Sequence, residues 1–362
     1  MKSLISHFEK LDWILIVVSV LLVSIGFLSI YSSSRGEDFL NFKKQIIFFV
    51  IGFILMIIFS FVDWRILRDT PLLILILYFL CILLLILLFF LAPTIRGIKA
   101  WYRIGPFSID MVEPTKIILI ILLAKYFSMR HVEMYKIQHI FFSGLYVLIP
   151  SVLIFYQPNL GSAIILIILW IGILIISGIK LRHFLILCLI GLIVLTFIWS
   201  FLLRDYQKQR VISFFQPQLE PLGVNWSQNQ SKIAIGAGGF WGQGLGKGSQ
   251  TQHGFLPEPQ TDFVFAAIAE EFGLIGVIIL FLLYLLLIYR IIKISILAKN
   301  NFCRIFASGF SIILVSEIFI NIGMNTGIIP VIGNPLPLIS YGGSSLIINF
   351  IGLGIIQSIK AH

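Results

Sequence analysis

Charged side chains are scarce in this sequence. Of its 362 residues only 12% are Asp, Glu, Lys or Arg, whereas 59% are hydrophobic, and the mean hydropathy is +1.04. Soluble domains contain about 25% charged and about 45 to 50% apolar residues. A composition with so little charge excludes a soluble fold and indicates a protein that faces lipid.

Cysteine is also rare, and the basic residues do not cluster. Cys81, Cys188 and Cys303 lie within or at the ends of apolar runs and have no metal-ligand spacing, so the sequence indicates neither a disulfide framework nor a zinc site. The formal net charge of +10 is spread over many short loops, whereas nucleic-acid binding needs a basic patch. No nucleic acid is therefore expected as a partner, and membrane lipids are expected instead.

The hydrophobic runs are long and continuous, without the alternation that a membrane β-barrel shows. Crossing the hydrocarbon layer takes about 20 apolar residues in a helix. The sequence therefore predicts an all-α integral membrane protein with a single polytopic domain over residues 1–362 and about ten transmembrane helices. The predicted segments are 12–31, 45–62, 71–92, 114–128, 137–156, 160–178, 184–203, 263–290, 303–324 and 342–359.

Basic residues predict the orientation of these helices. The short segments on the side of the N-terminus carry 14 Lys and Arg residues, and the short segments on the other side carry six. Because Lys and Arg concentrate on the cytoplasmic side, both termini are expected there. The long connection 204–261 is then extracytoplasmic, and its aromatic and glycine residues predict a segment that folds back over the membrane face.

Asp262 follows this long loop directly, where the eighth predicted helix begins. One interpretation is structural, because Thr261 and Asp262 are both good caps for a helix. The other is functional, because a carboxylate at the boundary of water and lipid can act as a general base or bind a cation. Both roles are compatible in one residue.

Glu113 and Lys116 open the fourth predicted helix. Pro114 and an acidic residue are typical of a first helical turn. Lys116, however, enters an apolar run, where an unpaired charge costs about 2.5 to 3.5 kcal/mol. Residues three apart lie on one helix face, so the sequence predicts an ion pair between Glu113 and Lys116.

Three further glutamates lie within apolar runs and are second-rank candidates. Glu270 and Glu271 follow Asp262 by two turns, so we expect one of them to face the same site. Glu317 is predicted to make a polar contact between helices.

Glycines crowd residues 231–248 of the long loop. Nucleotide binding is excluded, because Trp241 and Gly248 stand where a Walker A motif needs its first glycine and its Ser or Thr. Two alternatives stay open for the glycines. They allow tight turns against the membrane, or they let the backbone approach a lipid diphosphate.

Two loops carry cations that suit either lipid headgroups or a diphosphate leaving group, whose developing negative charge they would stabilise. These cations are Arg210, Lys232 and Lys247 on the long loop and Arg96, Lys99 and Arg103 on the 93–113 loop.

Several motifs, in one order, resemble a single family. They are Glu113-Pro-Thr-Lys116, Gln157-Pro-Asn-Leu-Gly161, Gln209-Arg210 with Phe214 and Pro217, Gln230-Ser-Lys-Ile-Ala-Ile-Gly236, Leu256 through Phe263, Asn321-Ile-Gly-Met324 and Pro335 through Ser345. With this set the chain resembles the SEDS proteins of shape, elongation, division and sporulation, from Asp12 to Gln357. The connection 326–338 resembles the RodA-like, elongation-type branch more than the FtsW-like, division-type branch.

The resemblance implies a peptidoglycan glycosyltransferase of the bacterial cytoplasmic (inner) membrane that polymerises lipid II, with a class B penicillin-binding protein as its transpeptidase partner. Asp262 matches the family's essential aspartate, and Glu113 and Lys116 match its paired acidic and basic positions. Asn159, Gln260 and the segment 110–112 depart from the family pattern. A direct catalytic role is therefore not expected at those three places.

We expect inverting glycosyl transfer, in which the 4-hydroxyl of one lipid-linked disaccharide attacks the anomeric carbon of another and undecaprenyl diphosphate leaves. Asp262 is the expected general base, or the ligand of a divalent cation such as Mg²⁺ or Mn²⁺, and no nucleotide takes part. Arg210, and after it Lys116, is the expected cation for the diphosphate. The expected substrate-binding residues are Glu113, Lys116, Arg210, Lys232, Gln250, Glu258, Ser340 and Ser344.

Two rival functions also suit many helices with intramembrane charges. One is a flippase or transporter of the lipid-linked precursor, and the other is a non-catalytic scaffold for a transpeptidase. The charged and glycine-rich elements are predicted on one face rather than at the midplane of two repeated halves, and we find no internal repeat. The sequence therefore favours the enzyme.

Overall fold

A computed structural model describes residues 7–34, 39–92, 101–105, 107–129, 137–216 and 225–362. Its helices are α1 (Trp13–Ser33), α2 (Leu40–Phe61), α3 (Trp64–Asp69), α4 (Pro71–Leu91), α5 (Val112–Ser128), α6 (Ile137–Tyr156), α7 (Leu160–Ile176), α8 (Leu181–Phe197, continued by the π-helical turn Ile198–Leu202), α9 (Asp205–Phe215), α10 (Trp226–Gly238), α11 (Ser249–Gln252), α12 (Val264–Leu297), α13 (Asn301–Thr326) and α14 (Gly343–Ala361). The strands β1 (Trp101–Ile104) and β2 (Phe107–Asp110) pair in an antiparallel hairpin.

The predicted all-α membrane fold is confirmed. Within the described ranges, eight helices are long and apolar enough to cross a membrane. The remaining two predicted segments form α5 and α7, which have 17 residues each. The hairpin was not predicted, because four-residue strands carry too little alternation to stand out beside long apolar runs.

Two predicted boundaries differ from the structure by five residues or more. Helix α2 begins at Leu40 rather than at residue 45. Helix α12 continues to Leu297 rather than ending at residue 290, and it bends at Gly273, whose φ is 64°. A basic residue does not end a membrane helix, because its long apolar stem lets the charge reach the headgroup region.

Short polar side chains cap the starts of two helices, and a glycine ends a third. The side chains of Asp12 and Asn159 accept hydrogen bonds from the amides of Leu15 and Ser162 at the starts of α1 and α7. Gly327 ends α13 in the left-handed conformation, with φ 82°.

Helix α13 occupies the centre of the bundle and packs against α5, α7, α10 and α12. Helix α14 packs closely against α2, and α6 packs against α7. The connection 204–261 is folded over its described residues: it contains α9, α10 and α11, and α10 lies against both α12 and α13.

An ion cluster ties both ends of the chain to α12. Asp12 is 2% exposed and bonds Arg290, with Nε 2.9 Å from Oδ2, and Lys360, with Nζ 3.4 Å from Oδ2. Burial opposes ionisation of Asp12, but the hydrogen bonds from Arg290 and Leu15 outweigh it and lower its pKa. The Asp12 amide also donates to Oε1 of Gln357 at 2.7 Å, so the start of α1 is bonded to the last turns of α14.

Candidate functional site

Asp262 lies where the long connection meets α12, α13 and the loop 327–342. Its carboxylate faces that loop: Oδ2 lies 3.4 Å from the position that a Cβ would occupy on Gly333. The side chain is half-buried. The structure therefore places a carboxylate at the start of a membrane helix, beside a loop whose glycine leaves space in front of it.

The helix-cap interpretation of Thr261 and Asp262 is wrong. Helix α12 begins at Val264, with Phe263 at the N-cap position and no side-chain hydrogen bond to that cap. A backbone turn precedes the helix instead, in which the carbonyl of Glu258 accepts from the amides of Thr261 (3.1 Å) and Phe263 (3.2 Å). Neither Thr261 nor Asp262 therefore occupies the N-cap position.

Glu258 shapes this turn through its backbone. Its φ is 46°, a left-handed conformation that is unfavourable for a side chain other than glycine or asparagine. Such strain persists only where the surrounding structure holds it, and it is common beside functional sites. The predicted contact of Glu258 with substrate stays a prediction.

The cations Arg210 and Lys232 border the loop that faces Asp262. Nη1 of Arg210, on α9, donates to the carbonyl of Val331 at 3.3 Å. The side chain of Lys232, on α10, lies beside Gly327, with Nζ 3.7 Å from a Cβ position there. Both residues are exposed. Because each of them contacts the loop 327–342, the structure brings two predicted cations and the predicted aspartate to one loop.

The remaining predicted cations lie elsewhere or outside the described residues. Lys247 and Arg103 are exposed on the glycine-rich loop and on β1. Arg96 and Lys99 fall outside the described residues.

The predicted ion pair between Glu113 and Lys116 is confirmed, with Nζ 2.7 Å from Oε1. A second carboxylate joins it, because Nζ of Lys116 also lies 2.6 Å from Oε1 of Glu317 on α13. The Lys116 side chain is 3% exposed. Its ammonium therefore binds two carboxylates inside the bundle and is not exposed at the surface.

Glu317 makes the predicted polar contact between helices, because its carboxylate on α13 binds Lys116 on α5. Its partner lies 201 residues away, so no local spacing announces the pair. A signal was nevertheless present: Glu317, Asn321 and Asn325 recur every fourth residue and lie on one face of α13. Polar residues at helical spacing in an apolar helix indicate a face that needs partners.

Ser340 and Ser344 make hydrogen bonds that hold backbone. The hydroxyl of Ser340 donates to the carbonyl of Thr261 at 2.6 Å and accepts from the amide of Leu336 at 2.8 Å. The hydroxyl of Ser344 accepts from the amide of Asp110 at 2.9 Å. Ser340 thus holds the residue before Asp262, and Ser344 holds the end of the hairpin against the start of α14. The predicted contacts of both serines with substrate stay predictions.

Asp110 adds a titratable group at the end of the hairpin. Burial, together with the nearby Glu113 carboxylate, raises the pKa of its carboxyl to about 7. Its Oδ1 accepts from the amide of Val112 at 2.8 Å, at the start of α5.

Glu270 and Glu271 bind the glycine-rich loop, so the expectation that one of them faces the Asp262 site is wrong. Glu270 accepts from the amides of Gln250 (2.6 Å) and Thr251 (3.0 Å), and Glu271 accepts from the amide of Gly246 (3.2 Å). Gln250 thus meets Glu270 through its backbone, and its predicted role in substrate binding stays a prediction.

Close packing explains the glycines of this loop. A Cβ on Gly238 would lie 1.9 Å from the carbonyl oxygen of Ala269, and one on Gly242 would lie 2.2 Å from that of Glu271. Only a residue without a side chain fits so near the backbone of α12. Close approach to the backbone of α12, which neither alternative included, therefore accounts for Gly238 and Gly242.

Known proteins resemble this chain over nearly its whole length. The family model FTSW_RODA_SPOVE, described as a cell cycle protein, matches residues 12–362. The peptidoglycan glycosyltransferase MrdB of Escherichia coli strain K12 is 35% identical over 353 residues, which cover 97% of this chain and 94% of MrdB.

Solved structures extend the likeness to three dimensions. A chain from a peptidoglycan synthase complex, studied for its coordination of polymerization and crosslinking, has a TM-score of 0.82 and 29% identity, and the match covers 97% of both chains. The rod shape determining protein RodA of Thermus thermophilus has a TM-score of 0.72 and 27% identity, over 97% of this chain and 96% of RodA. The chain therefore belongs to the FtsW, RodA and SpoVE family of SEDS proteins.

Proposed function

We propose that this chain is a peptidoglycan glycosyltransferase that polymerises lipid II into glycan strands for cell-wall elongation and cell shape. The observation that carries the proposal is the placement of Asp262, Arg210 and Lys232 around one loop at the start of a membrane helix. A lipid-linked sugar would present its diphosphate at that depth. The activity named for MrdB and the likeness to RodA support this proposal and its RodA-like branch.

The chemistry follows from the groups at this site. The 4-hydroxyl of one lipid-linked disaccharide attacks the anomeric carbon of another and transfers its proton to the Asp262 carboxylate, which acts as general base. The bond between the anomeric carbon and the diphosphate oxygen breaks, and undecaprenyl diphosphate leaves with the electron pair, so the configuration inverts. Arg210, which donates to the carbonyl of Val331 in the loop that faces Asp262, would stabilise the leaving diphosphate.

A divalent cation fits this site only together with the substrate. Among the described residues, no group of three or more His, Cys, Asp or Glu side chains could hold a metal ion. Mg²⁺ commonly binds one or two carboxylates together with substrate phosphates and water. Asp262 would then be the protein's carboxylate ligand, and the bound ion would neutralise charge on the diphosphate.

The multi-pass chain is proposed to lie in the bacterial cytoplasmic membrane with both termini inside and residues 204–261 outside. Lys247 and Lys299 are both exposed and lie at opposite ends of α12. In a variant without Cys81, Cys188 and Cys303, we expect Lys247→Cys but not Lys299→Cys to react with a membrane-impermeant maleimide in intact cells. Labelling of Lys299→Cys alone would reverse the orientation.

A class B penicillin-binding protein is the proposed transpeptidase partner. The peptidoglycan synthase complex, whose structure concerns both polymerization and crosslinking, supports this pairing for a chain that shares its fold at a TM-score of 0.82. The polymerisation assay is therefore run with and without this partner.

Asp262→Asn is the decisive variant. Asn has nearly the same shape, so we expect normal insertion, purification and partner binding, while polymerisation of lipid II with Mg²⁺ or Mn²⁺ falls by a factor of about 10² or more. Asp205→Asn, an exposed carboxylate at the start of α9, is the matched control and should keep full activity.

Near-normal polymerisation by Asp262→Asn would sink the catalytic assignment. Inactivity of the unmodified protein, with and without its partner, would instead favour the flippase or scaffold function. A lipid II translocation assay in liposomes then separates those two.

A further inference from the structure

One face of α13 connects the two charged groups of the site. Glu317, Asn321 and Asn325 follow each other at intervals of four residues, so their side chains lie in one row, about 6 Å apart along the helix axis. All three are buried, and both asparagines are 0% exposed. Buried polar side chains in a membrane bundle need partners, and the partners show what this row does.

The two asparagines bind the backbone of Asp262. Nδ2 of Asn321 donates to the carbonyl oxygen of Asp262 at 3.0 Å, and Nδ2 of Asn325 donates to the same oxygen at 2.9 Å. Both lone pairs of that carbonyl are thereby used. The peptide group that carries the Asp262 side chain is thus attached to α13 from two directions.

The same amides also hold the segments on either side of Asp262. Nδ2 of Asn321 donates to the carbonyl of Asn334 at 2.7 Å, in the loop whose Gly333 faces the carboxylate. Oδ1 of Asn325 accepts from the amide of Ala266 at 3.2 Å, in the first turn of α12. Asp262 is therefore fixed together with both surfaces that border it.

The third member of the row holds the other charged group. Oε1 of Glu317 lies 2.6 Å from Nζ of Lys116, which in turn binds Glu113. A helix is stiff over two turns. Lys116, bound by Glu317, and the Asp262 backbone, bound by Asn325, are therefore kept at a constant separation. The row therefore acts as a spacer between the Lys116 cluster and the Asp262 segment.

We propose that Asn321 and Asn325 are positioning residues that set the Asp262 carboxylate for reaction and hold it at a fixed place relative to Lys116. This inference rests on the proposed function, since it assigns the catalytic role to Asp262. Both asparagines are 0% exposed, so we assign them no contact with substrate. Their effect on rate comes from geometry, because displacement of a reacting group by about 1 Å can lower a rate by a factor of about 10².

The test compares alanine variants of equally buried asparagines. Asn321→Ala and Asn325→Ala remove the donors to Asp262, whereas Asn349→Ala is the matched control, since Asn349 is 4% exposed and its Nδ2 donates to Ser345 on its own helix. We measure kcat and KM for lipid II per folded molecule, the pH profile of kcat, and the melting temperature of each variant.

We expect kcat to fall about 10-fold to 100-fold in the two site variants, with KM changed by less than about twofold. We also expect the acid limb of the kcat profile to move, because it reports the group that must be deprotonated. Asn349→Ala should keep the kcat and the profile of the unmodified protein. Unchanged kcat and profile in Asn321→Ala and Asn325→Ala, with only a lower melting temperature, would overturn the inference.

Asn321→Ser covers the case in which the alanine variants do not fold. A serine hydroxyl inside a helix bonds the carbonyl four residues earlier, so it cannot reach Asp262, but the buried site keeps a small polar group. If this variant also fails to fold while Asn349→Ala folds, the row is required for folding rather than for rate, and the inference is wrong.

Asp262→Asn separates this inference from the function on which it rests. If Asp262→Asn is active, the catalytic assignment and the positioning role are both wrong. If Asp262→Asn is inactive while Asn321→Ala and Asn325→Ala keep a normal kcat, only the positioning role is wrong.

Discussion

Helices α8 and α13 are both apolar enough to cross a membrane, yet the more hydrophobic one is the exposed one. The span Leu181–Leu202 has a mean hydropathy of 2.8 and 0% of it is buried, whereas α13 has a mean hydropathy of 2.0 and 72% of it is buried. In a soluble protein the more hydrophobic helix would be the more buried one. Hydropathy therefore identifies helices of this bundle but does not tell which of them form its centre.

The difference lies in polar and small residues. Lipid tails are as apolar as leucine, so helices associate through close packing and hydrogen bonds rather than through hydrophobicity. Helix α13 offers Glu317, Asn321 and Asn325 to neighbouring segments. Two hydroxyls of α8 bond within their own helix instead, since Thr196 and Ser200 donate to carbonyls four residues earlier.

The largest effect is expected from Lys116→Met, which leaves Glu113 and Glu317 facing each other without a cation. Removing one partner from a buried charged pair costs about 3 to 5 kcal/mol. We expect a marked fall of the melting temperature in detergent, and a smaller one for Glu317→Gln, because Lys116 keeps its bond to Glu113.

Lys293→Met is the control for loss of a positive charge, because Lys293 is exposed on α12. A double-mutant cycle with Glu113→Gln and Lys116→Met should be strongly non-additive in both stability and activity. Additive losses would show that Glu113 and Lys116 act separately and that the buried cluster does not distinguish α13 from α8.

A smaller effect is expected from one substitution made on each of the two helices. A Cβ on Gly309 of α13 would lie 3.0 Å from Cγ2 of Ile120, whereas one on Gly191 of α8 meets no described atom within 4 Å. Overpacking costs about 1 to 3 kcal/mol, so Gly309→Leu should lower the melting temperature. Gly191→Leu should change stability by less than about 0.5 kcal/mol, and equal losses would mean that α8 packs against the bundle in the membrane.

The sequence by itself determined the features that depend on short spacing. Long apolar runs predicted ten helices that the structure contains, because a helix is a local structure and its span is set by the thickness of the membrane. The ion pair of Glu113 and Lys116 followed from a separation of three residues on one helix. Asp262 stood out because a carboxylate directly before an apolar run is unusual.

Only the tertiary structure decided which distant residues meet. It joined Glu317 to Lys116, attached Asp262 to Asn321 and Asn325, and turned Glu270 and Glu271 toward the glycine-rich loop. The physical reason is that the helices long enough to cross the membrane are apolar on all sides, so the hydrophobic pattern that marks the inner face of a soluble helix is missing from them. The inner faces are chosen instead by hydrogen bonds and close contacts between segments far apart in the chain, and these exist only once the helices have packed.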